Sequence, residues 1–116
     1  MRQNIRLIPG FLVVLLVITL GYANAATRTK ACVKYLNTNK AYNVEVTLIS
    51  GQELNQKTRT LNYDCFSTYA VIFWSNSNAT LIKLNYFIGS LNMFGNRGVD
   101  QRGYPWSVSS NTSFCY

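Results

Sequence analysis

The most regular alternation in the chain is YNVEVTLI, residues 42–49. Apolar or aromatic side chains stand at positions 42, 44, 46 and 48, and three of the four residues between them are polar. A period of two places these sets on opposite faces of an extended strand, and β-branched residues favour that conformation. The segment is therefore predicted to be a half-buried strand that turns Tyr42, Val44, Val46 and Leu48 toward the core.

Shorter segments with strand character lie on both sides of this one, separated by turn residues. The predicted strands cover residues 31–35, 57–63, 69–74, 80–88 and 108–116. Ile72, Ile82 and Leu84 are predicted to join the core, whereas residues 89–103 carry no strand pattern and are predicted to form a loop. Five or six short strands with polar turns predict an all-β fold, a small antiparallel β-sandwich or barrel.

Two of these segments also fit a helix. Leu81, Leu84, Ile88 and Leu91 form a stripe with helical spacing, and residues 66–74 have the length of a short buried helix. Strands are favoured because Gly89 interrupts the stripe and because aromatic and β-branched residues dominate both segments.

The first 25 residues resemble a cleavable export signal. Arg2 and Arg6 precede a ten-residue apolar run at 11–20, and Ala23-Asn24-Ala25 supplies the small residues that signal peptidase requires. The run is shorter than the about 20 residues that cross a membrane. We therefore expect a signal peptide over 1–25 and a single small secreted β domain over 26–116. Its destination is extracellular, or periplasmic in a Gram-negative bacterium.

Three cysteines follow the predicted signal peptide. Cys32 and Cys115 lie opposite the apolar faces of the two terminal strands, whereas Cys65 shares the parity of Leu61 and Tyr63. A Cys32–Cys115 disulfide is therefore predicted, which would contribute roughly 4 kcal/mol by closing a long loop. Cys65 is predicted to be a buried free thiol. Bridges from Cys65 to either partner remain alternatives, as does a disulfide-linked homodimer through the unpaired cysteine.

The chain offers little catalytic chemistry. It contains no histidine, which removes the usual general base and the histidine-activated nucleophiles. The cysteines are too far apart for preorganised zinc ligation. The carboxylates have the sequence context of solvated or turn residues: Glu45, Glu53, Asp64 and Asp100. We expect no enzyme, no catalytic residue, no metal site and no cofactor.

Charge and aromatic content instead predict binding. Residues 26–116 contain nine Lys and Arg against four Asp and Glu, a net side-chain charge of +5, which favours anionic partners. Within residues 94–106, Arg97 and Arg102 are predicted to pair with an anionic group, and Tyr104 and Trp106 to stack on a flat one. Alternatively, these two rings cap the core and both arginines are merely solvated.

The predicted function is that of a secreted non-enzymatic binding domain. Its partner would be an anionic surface group: a glycan, a lipid headgroup of a membrane surface, or another polyanion. Two alternatives are a structural subunit of a cell-surface assembly, suggested by the odd cysteine, and a small membrane-active effector, suggested by positive charge with many aromatic residues.

Overall fold

The structure is a computed structural model that describes residues 26–85 and 90–116. The predicted signal peptide, residues 1–25, lies outside the described residues. Within them, six antiparallel strands close into a barrel in the order of the chain, with the last strand pairing with the first. The elements are β1 Thr27–Tyr35, β2 Lys40–Ser50, α1 Gly51–Thr58, β3 Thr68–Ser75, β4 Asn78–Leu84, β5 Asn96–Val99 and β6 Pro105–Ser109.

The closed barrel confirms the predicted all-β class. Alternate residues of each strand point inward, so the core contains the inward set predicted for β2 together with its neighbours. The predicted core residues that are buried are Val46, Leu48, Ile72, Ile82 and Leu84. Val44 is half-buried against that core. The two-residue period of β2 was therefore assigned to the correct face.

The predicted disulfide is present. Cys32 on β1 is bonded to Cys115, with their Cα atoms 5.4 Å apart. Cys115 reaches β1 from an irregular segment, however, and not from a strand. The predicted strand over 108–116 is wrong beyond Ser109 because local side chains satisfy the backbone there. Ser109 Oγ accepts from the Asn111 N–H, and Asn111 Oδ1 accepts from the Ser113 N–H.

The predicted strand over 57–63 is also wrong, because α1 occupies its beginning and residues 59–67 are irregular. Ser50 Oγ accepts a hydrogen bond from the Glu53 N–H at 3.1 Å, which caps the helix. Arg59 ends the helix in the left-handed conformation, with φ of 57°. A capping signal thus overrides the weak alternation that follows it.

The helix also determines where Cys65 lies. Buried Asn55 on α1 exchanges two hydrogen bonds with the Tyr63 backbone, of 2.9 and 3.0 Å, and holds this segment outside the barrel. Leu54 packs against the outer faces of β2 and β3. Cys65 is consequently exposed, and the prediction of a buried thiol is wrong.

The native protein is expected to react at one thiol without denaturant, because Cys65 is exposed while Cys32 and Cys115 are bonded to each other. Titration with an aromatic disulfide reagent should release one equivalent of chromophore per chain, and peptide mapping should place the label on Cys65. Cys65→Ser should abolish the reaction. Labelling only after unfolding would contradict this placement.

The predicted loop over 89–103 contains one strand, β5, so this prediction is wrong for residues 96–99. β5 is short and pairs with β6 over four residues but with β4 over two. It approaches β4 closely, since a Cβ at Gly98 would overlap the Lys83 carbonyl oxygen. β4 ends at Leu84, and the predicted strand residues 86–88 lie outside the described ranges. Within those ranges, no helix is long and apolar enough to cross a membrane.

Candidate functional site

A cleft lies at the end of the barrel where β1, β3 and β5 end and where β2, β4 and β6 begin. Because strand direction alternates, inward-facing residues at these strand ends meet there even when they are distant in sequence. We call this cleft, of about 450 Å³, the barrel mouth. It is lined by Tyr35, Tyr42, Trp74, Asn78, Ala79, Thr80, Gln101, Arg102 and Trp106.

Four aromatic rings define the shape of the mouth. Tyr35 and Trp106 have ring centroids 5.0 Å apart, and Tyr42 and Trp74 meet edge to face at 5.3 Å. Trp106 is buried and belongs to the core, whereas 37% of Trp74 is exposed. The Trp74 indole N–H donates to Thr80 Oγ1 at 2.8 Å, which fixes the orientation of this ring.

Gln101 shapes the side of the mouth. β4 and β5 pair at two positions only, Lys83 with Val99 and Leu84 with Gly98. Nearer the mouth, the Gln101 side chain donates to the Ala79 carbonyl and accepts from the Leu81 N–H, both at 3.0 Å. At Ala79 and Leu81, β4 pairs with β3 on one side, and on the side where β5 does not reach, the Gln101 amide takes the place of a strand partner.

Asp100 organises the turn that carries Arg102. Its side chain is fully buried. Oδ1 accepts from the N–H groups of Arg102 and Tyr104 at 2.9 and 3.0 Å. Oδ2 accepts from Trp106 Nε1 at 2.9 Å and from Arg102 Nη2 at 3.2 Å. Burial raises the pKa of Asp100, but these hydrogen bonds outweigh burial and bring the pKa below its ordinary value. The carboxylate is therefore held ionised.

Arg102 is the cation at the mouth. Its side chain is 62% exposed although it contacts Asp100. The guanidinium carbon lies 4.8 Å from the centroid of the Tyr104 ring, which supports it from one side. A guanidinium has five N–H donors and the Asp100 contact uses one, so the others can bind an anion. Lys40 adds a second positive charge near the mouth, 5.9 Å from the centroid of the Tyr42 ring.

The residues predicted to bind divide between two places. Arg102 and Trp106 line the mouth, and Tyr104 lies beside it, edge-on to Tyr35 at 6.1 Å. Arg97 is elsewhere, in a groove on the outer surface. Residues 94–106 are therefore not a single binding surface in this fold.

Sequence reasoning missed Tyr35, Tyr42 and Trp74 as site residues, and it treated Asp100 only as a solvated or turn residue. A signal for the three rings was present. Each ring follows the alternation that points every second residue of its strand into the barrel. Each ring also lies at a strand end, and antiparallel pairing places these strand ends at the same end of the barrel. The role of Asp100 had no comparable signal, because it depends on burial by Trp106.

The remaining acids lie away from the mouth. Glu53 is 3.8 Å from Lys57 on α1, and Asp64 is 3.4 Å from Lys83. The Phe66 N–H and the Ser67 hydroxyl lower the pKa of Asp64, with Lys83 adding to the effect. Among residues 26–85 and 90–116, no group of three His, Cys, Asp or Glu is placed to hold a metal ion. The chemistry available at the mouth is ring stacking, hydrogen bonding and charge pairing.

No family model matches the chain, and comparisons with curated proteins and with solved structures found no significant match.

Proposed function

We propose that this protein is an exported, non-enzymatic binding domain whose barrel mouth receives an acidic sugar unit of an anionic glycan. The observation that carries the proposal is the joint presence of four aromatic rings and an exposed guanidinium in one cleft. The partly exposed rings Tyr35, Tyr42 and Trp74 offer stacking surfaces, and Arg102 offers donors to a carboxylate or sulfate.

The size and lining of the mouth suit a sugar. A volume of about 450 Å³ lies within the usual range for small-ligand sites, and barrel mouths are common places for them. A sugar ring has an apolar face, which the partly exposed Trp74 can cover. It also has hydroxyl groups, for which Asn78, Thr80 and Gln101 provide polar partners.

The charges favour an acidic sugar over a neutral one. Buried Asp100 carries one negative charge, whereas Arg102 and Lys40 together carry two positive charges near the mouth. The mouth therefore has a net positive charge. Asp100 also holds the arginine in place before ligand arrives, which reduces the entropy lost on binding. The excess of basic residues in the domain favours encounter with an anionic chain.

Export is supported by two independent features. Residues 1–25 have the charge, apolar run and small residues of a signal peptide. The Cys32–Cys115 disulfide persists in oxidising compartments and is rare in reducing ones.

Trp74→Ala should weaken glycan binding at least about fivefold, since stacking on an aromatic ring is worth about 1–3 kcal/mol. Arg102→Gln should weaken it at least about tenfold, since a hydrogen bond to a charged group is worth about 1.5–3 kcal/mol. The measurement is isothermal titration with a tetrasaccharide of galacturonic acid, compared with a neutral tetrasaccharide. Wild type should prefer the acidic ligand, and that preference should decline with salt and be smaller in Arg102→Gln.

Matched controls are available on the same fold. Phe73→Ala removes a 70% exposed ring next to Trp74 in sequence but outside the mouth, and Arg59→Gln removes an exposed charge beyond α1. Both should bind like wild type. Equal affinity for acidic and neutral ligands, or equal losses in the controls, would disprove a mouth site for acidic sugars.

The exposed Cys65 favours one other proposal, a structural subunit of a cell-surface assembly joined as a disulfide-linked homodimer. Sizing the secreted protein with and without reductant distinguishes the two functions. A dimer that dissociates on reduction and is lost in Cys65→Ser would support the assembly function.

A further inference from the structure

A second surface feature, separate from the mouth, is a basic row across the outer face of three strands. Ser107 on β6 is the register partner of Lys34 on β1 and of Arg97 on β5. Register partners point to the same side of a sheet, and neighbouring strands are about 4.8 Å apart. The side chains of Lys34 and Arg97 therefore start about 10 Å apart on either side of Ser107, close enough for both to bind one anion.

Neither cation in this row is neutralised. Among the described residues, the carboxylates within 4.0 Å of a basic group are Glu53, Asp64 and Asp100, whose partners are on other elements. Glu45 is the register partner of Lys30 on another part of the sheet. Lys34 and Arg97 thus form a site of uncompensated positive charge.

An apolar turn before β5 lies beside this row. Met93 and Phe94 are at the tip of the turn, and their side chains are 55% and 91% exposed. Phe114 approaches the same place from the C-terminal segment and is 69% exposed. Together with Lys34, Arg97 and Ser107 these residues line a groove of about 370 Å³, which we call the outer groove.

The turn is held firmly although its side chains are exposed. Asn92 Oδ1 accepts from the Phe94 N–H at 2.9 Å, and the Met93 carbonyl accepts from Ser109 Oγ at 2.9 Å. The Asn92 carbonyl accepts from the Ser110 N–H at 3.0 Å. Gly95, with φ of 103°, brings the backbone beside the Ser107 side chain. Met93 and Phe94 are therefore presented to solvent from a hydrogen-bonded turn, and the Cys32–Cys115 disulfide ties the neighbouring Phe114 segment to β1. Exposed apolar side chains grouped in this way are typical of an interaction surface.

We propose that the outer groove docks the protein on an anionic lipid surface. Lys34 and Arg97 bind the phosphate of a headgroup, and Met93, Phe94 and Phe114 enter the boundary between headgroups and acyl chains. Binding to a lipid surface would use both the two cations and the three apolar side chains of the groove. A free anion or a sulfated sugar would neutralise the cations but leave the three apolar side chains in water.

The position of the groove is compatible with the mouth site. Lys34 and Ser107 are next to the mouth residues Tyr35 and Trp106 in the chain, but they lie on the outer face of the sheet. The outer groove and the mouth share no lining residue. The two sites can therefore be tested separately.

The experiment measures partition of the secreted, purified protein into vesicles by sedimentation. Vesicles of phosphatidylcholine alone are compared with vesicles containing 30% phosphatidylserine, in 100 mM NaCl. Wild type should bind the anionic vesicles at least tenfold more tightly. Lys34→Gln combined with Arg97→Gln should lower that partition roughly 20- to 30-fold, and Phe94→Ser roughly tenfold. Arg97→Gln alone, on an exposed side chain, serves as a second variant if the double variant misfolds.

Matched controls separate the groove from general charge and hydrophobicity. Arg28→Gln combined with Arg59→Gln removes the same charge from exposed positions outside the groove, and Leu61→Ser removes a side chain as exposed as Phe94, at 91%. These controls, and Trp74→Ala at the mouth, should stay within about threefold of wild type. Absence of anionic preference in wild type, or losses in the controls equal to those in the groove variants, would overturn the proposal.

Discussion

Val46→Asp is expected to leave the chain unfolded at neutral pH. Val46 is fully buried in the middle of β2, and its neighbours in the barrel are apolar. An ionised carboxylate there has no partner and loses its hydration, which should cost about 4 kcal/mol or more. A domain of this size has little margin for such a loss. Circular dichroism should show loss of the strand spectrum, and urea titration should show no folding transition.

Leu61→Asp provides the matched control, because it adds the same charge at a side chain that is 91% exposed. It should unfold within about 0.5 kcal/mol of wild type. If Val46→Asp unfolded at the same urea concentration as wild type, the inward and outward faces of β2 would have to be exchanged.

Asp100→Asn is expected to lower the free energy of unfolding by about 2–4 kcal/mol at pH 7. The amide can still accept from the N–H groups of Arg102 and Tyr104. Its own NH₂ group, however, would face the Trp106 N–H and the Arg102 guanidinium, which are also donors. The variant should therefore loosen the turn that carries Arg102 and weaken glycan binding as well.

The difference between wild type and Asp100→Asn should depend on pH. The folded pKa of Asp100 lies below the ordinary value of 3.8, so its contribution is complete above that value and is lost as pH falls through the folded pKa. The difference in unfolding free energy should be constant from about pH 5 to 8 and shrink below about pH 4. Urea titrations followed by tryptophan fluorescence across this range provide the measurement.

Glu45→Gln is the control for this experiment, since Glu45 is an exposed carboxylate on β2. It should change stability by no more than about 0.5 kcal/mol. A destabilisation by Asp100→Asn that persisted unchanged at pH 3 would show that the charge of Asp100 does not contribute to folding.

The sequence alone was sufficient for the strands that carry their own pattern. The inward face of β2, the apolar segment that became β3 and the first part of β4 were all predicted from alternation, because side chains in an extended chain alternate in direction whatever the strand pairs with. The strand patterns depend on residues that are close together in the chain. The Cys32–Cys115 disulfide was predicted correctly from parity, although Cys115 lies beyond the end of β6 and not on a strand.

The elements predicted incorrectly are those whose local pattern is absent or obscured. β5 consists of Asn96, Arg97, Gly98 and Val99, residues of mostly low strand propensity, and it is a strand because β6 and β4 provide backbone partners. α1 has a capping signal in Ser50 and Glu53 that the alternation of the next residues obscured. The wrong strand in that place led directly to the wrong burial of Cys65.

Both candidate sites depend on tertiary structure for a physical reason. The mouth combines Tyr35, Trp74 and Trp106, which barrel closure brings together from three different strands. The outer groove joins Lys34 to Arg97 through the pairing of β1 with β6 and of β6 with β5. The sequence by itself indicated the inward face of β2, favoured the Cys32–Cys115 bond over its alternatives and set the basic net charge. Only closure of the barrel decided which of those residues are neighbours, because strand pairing between distant segments is set by the register of the whole sheet.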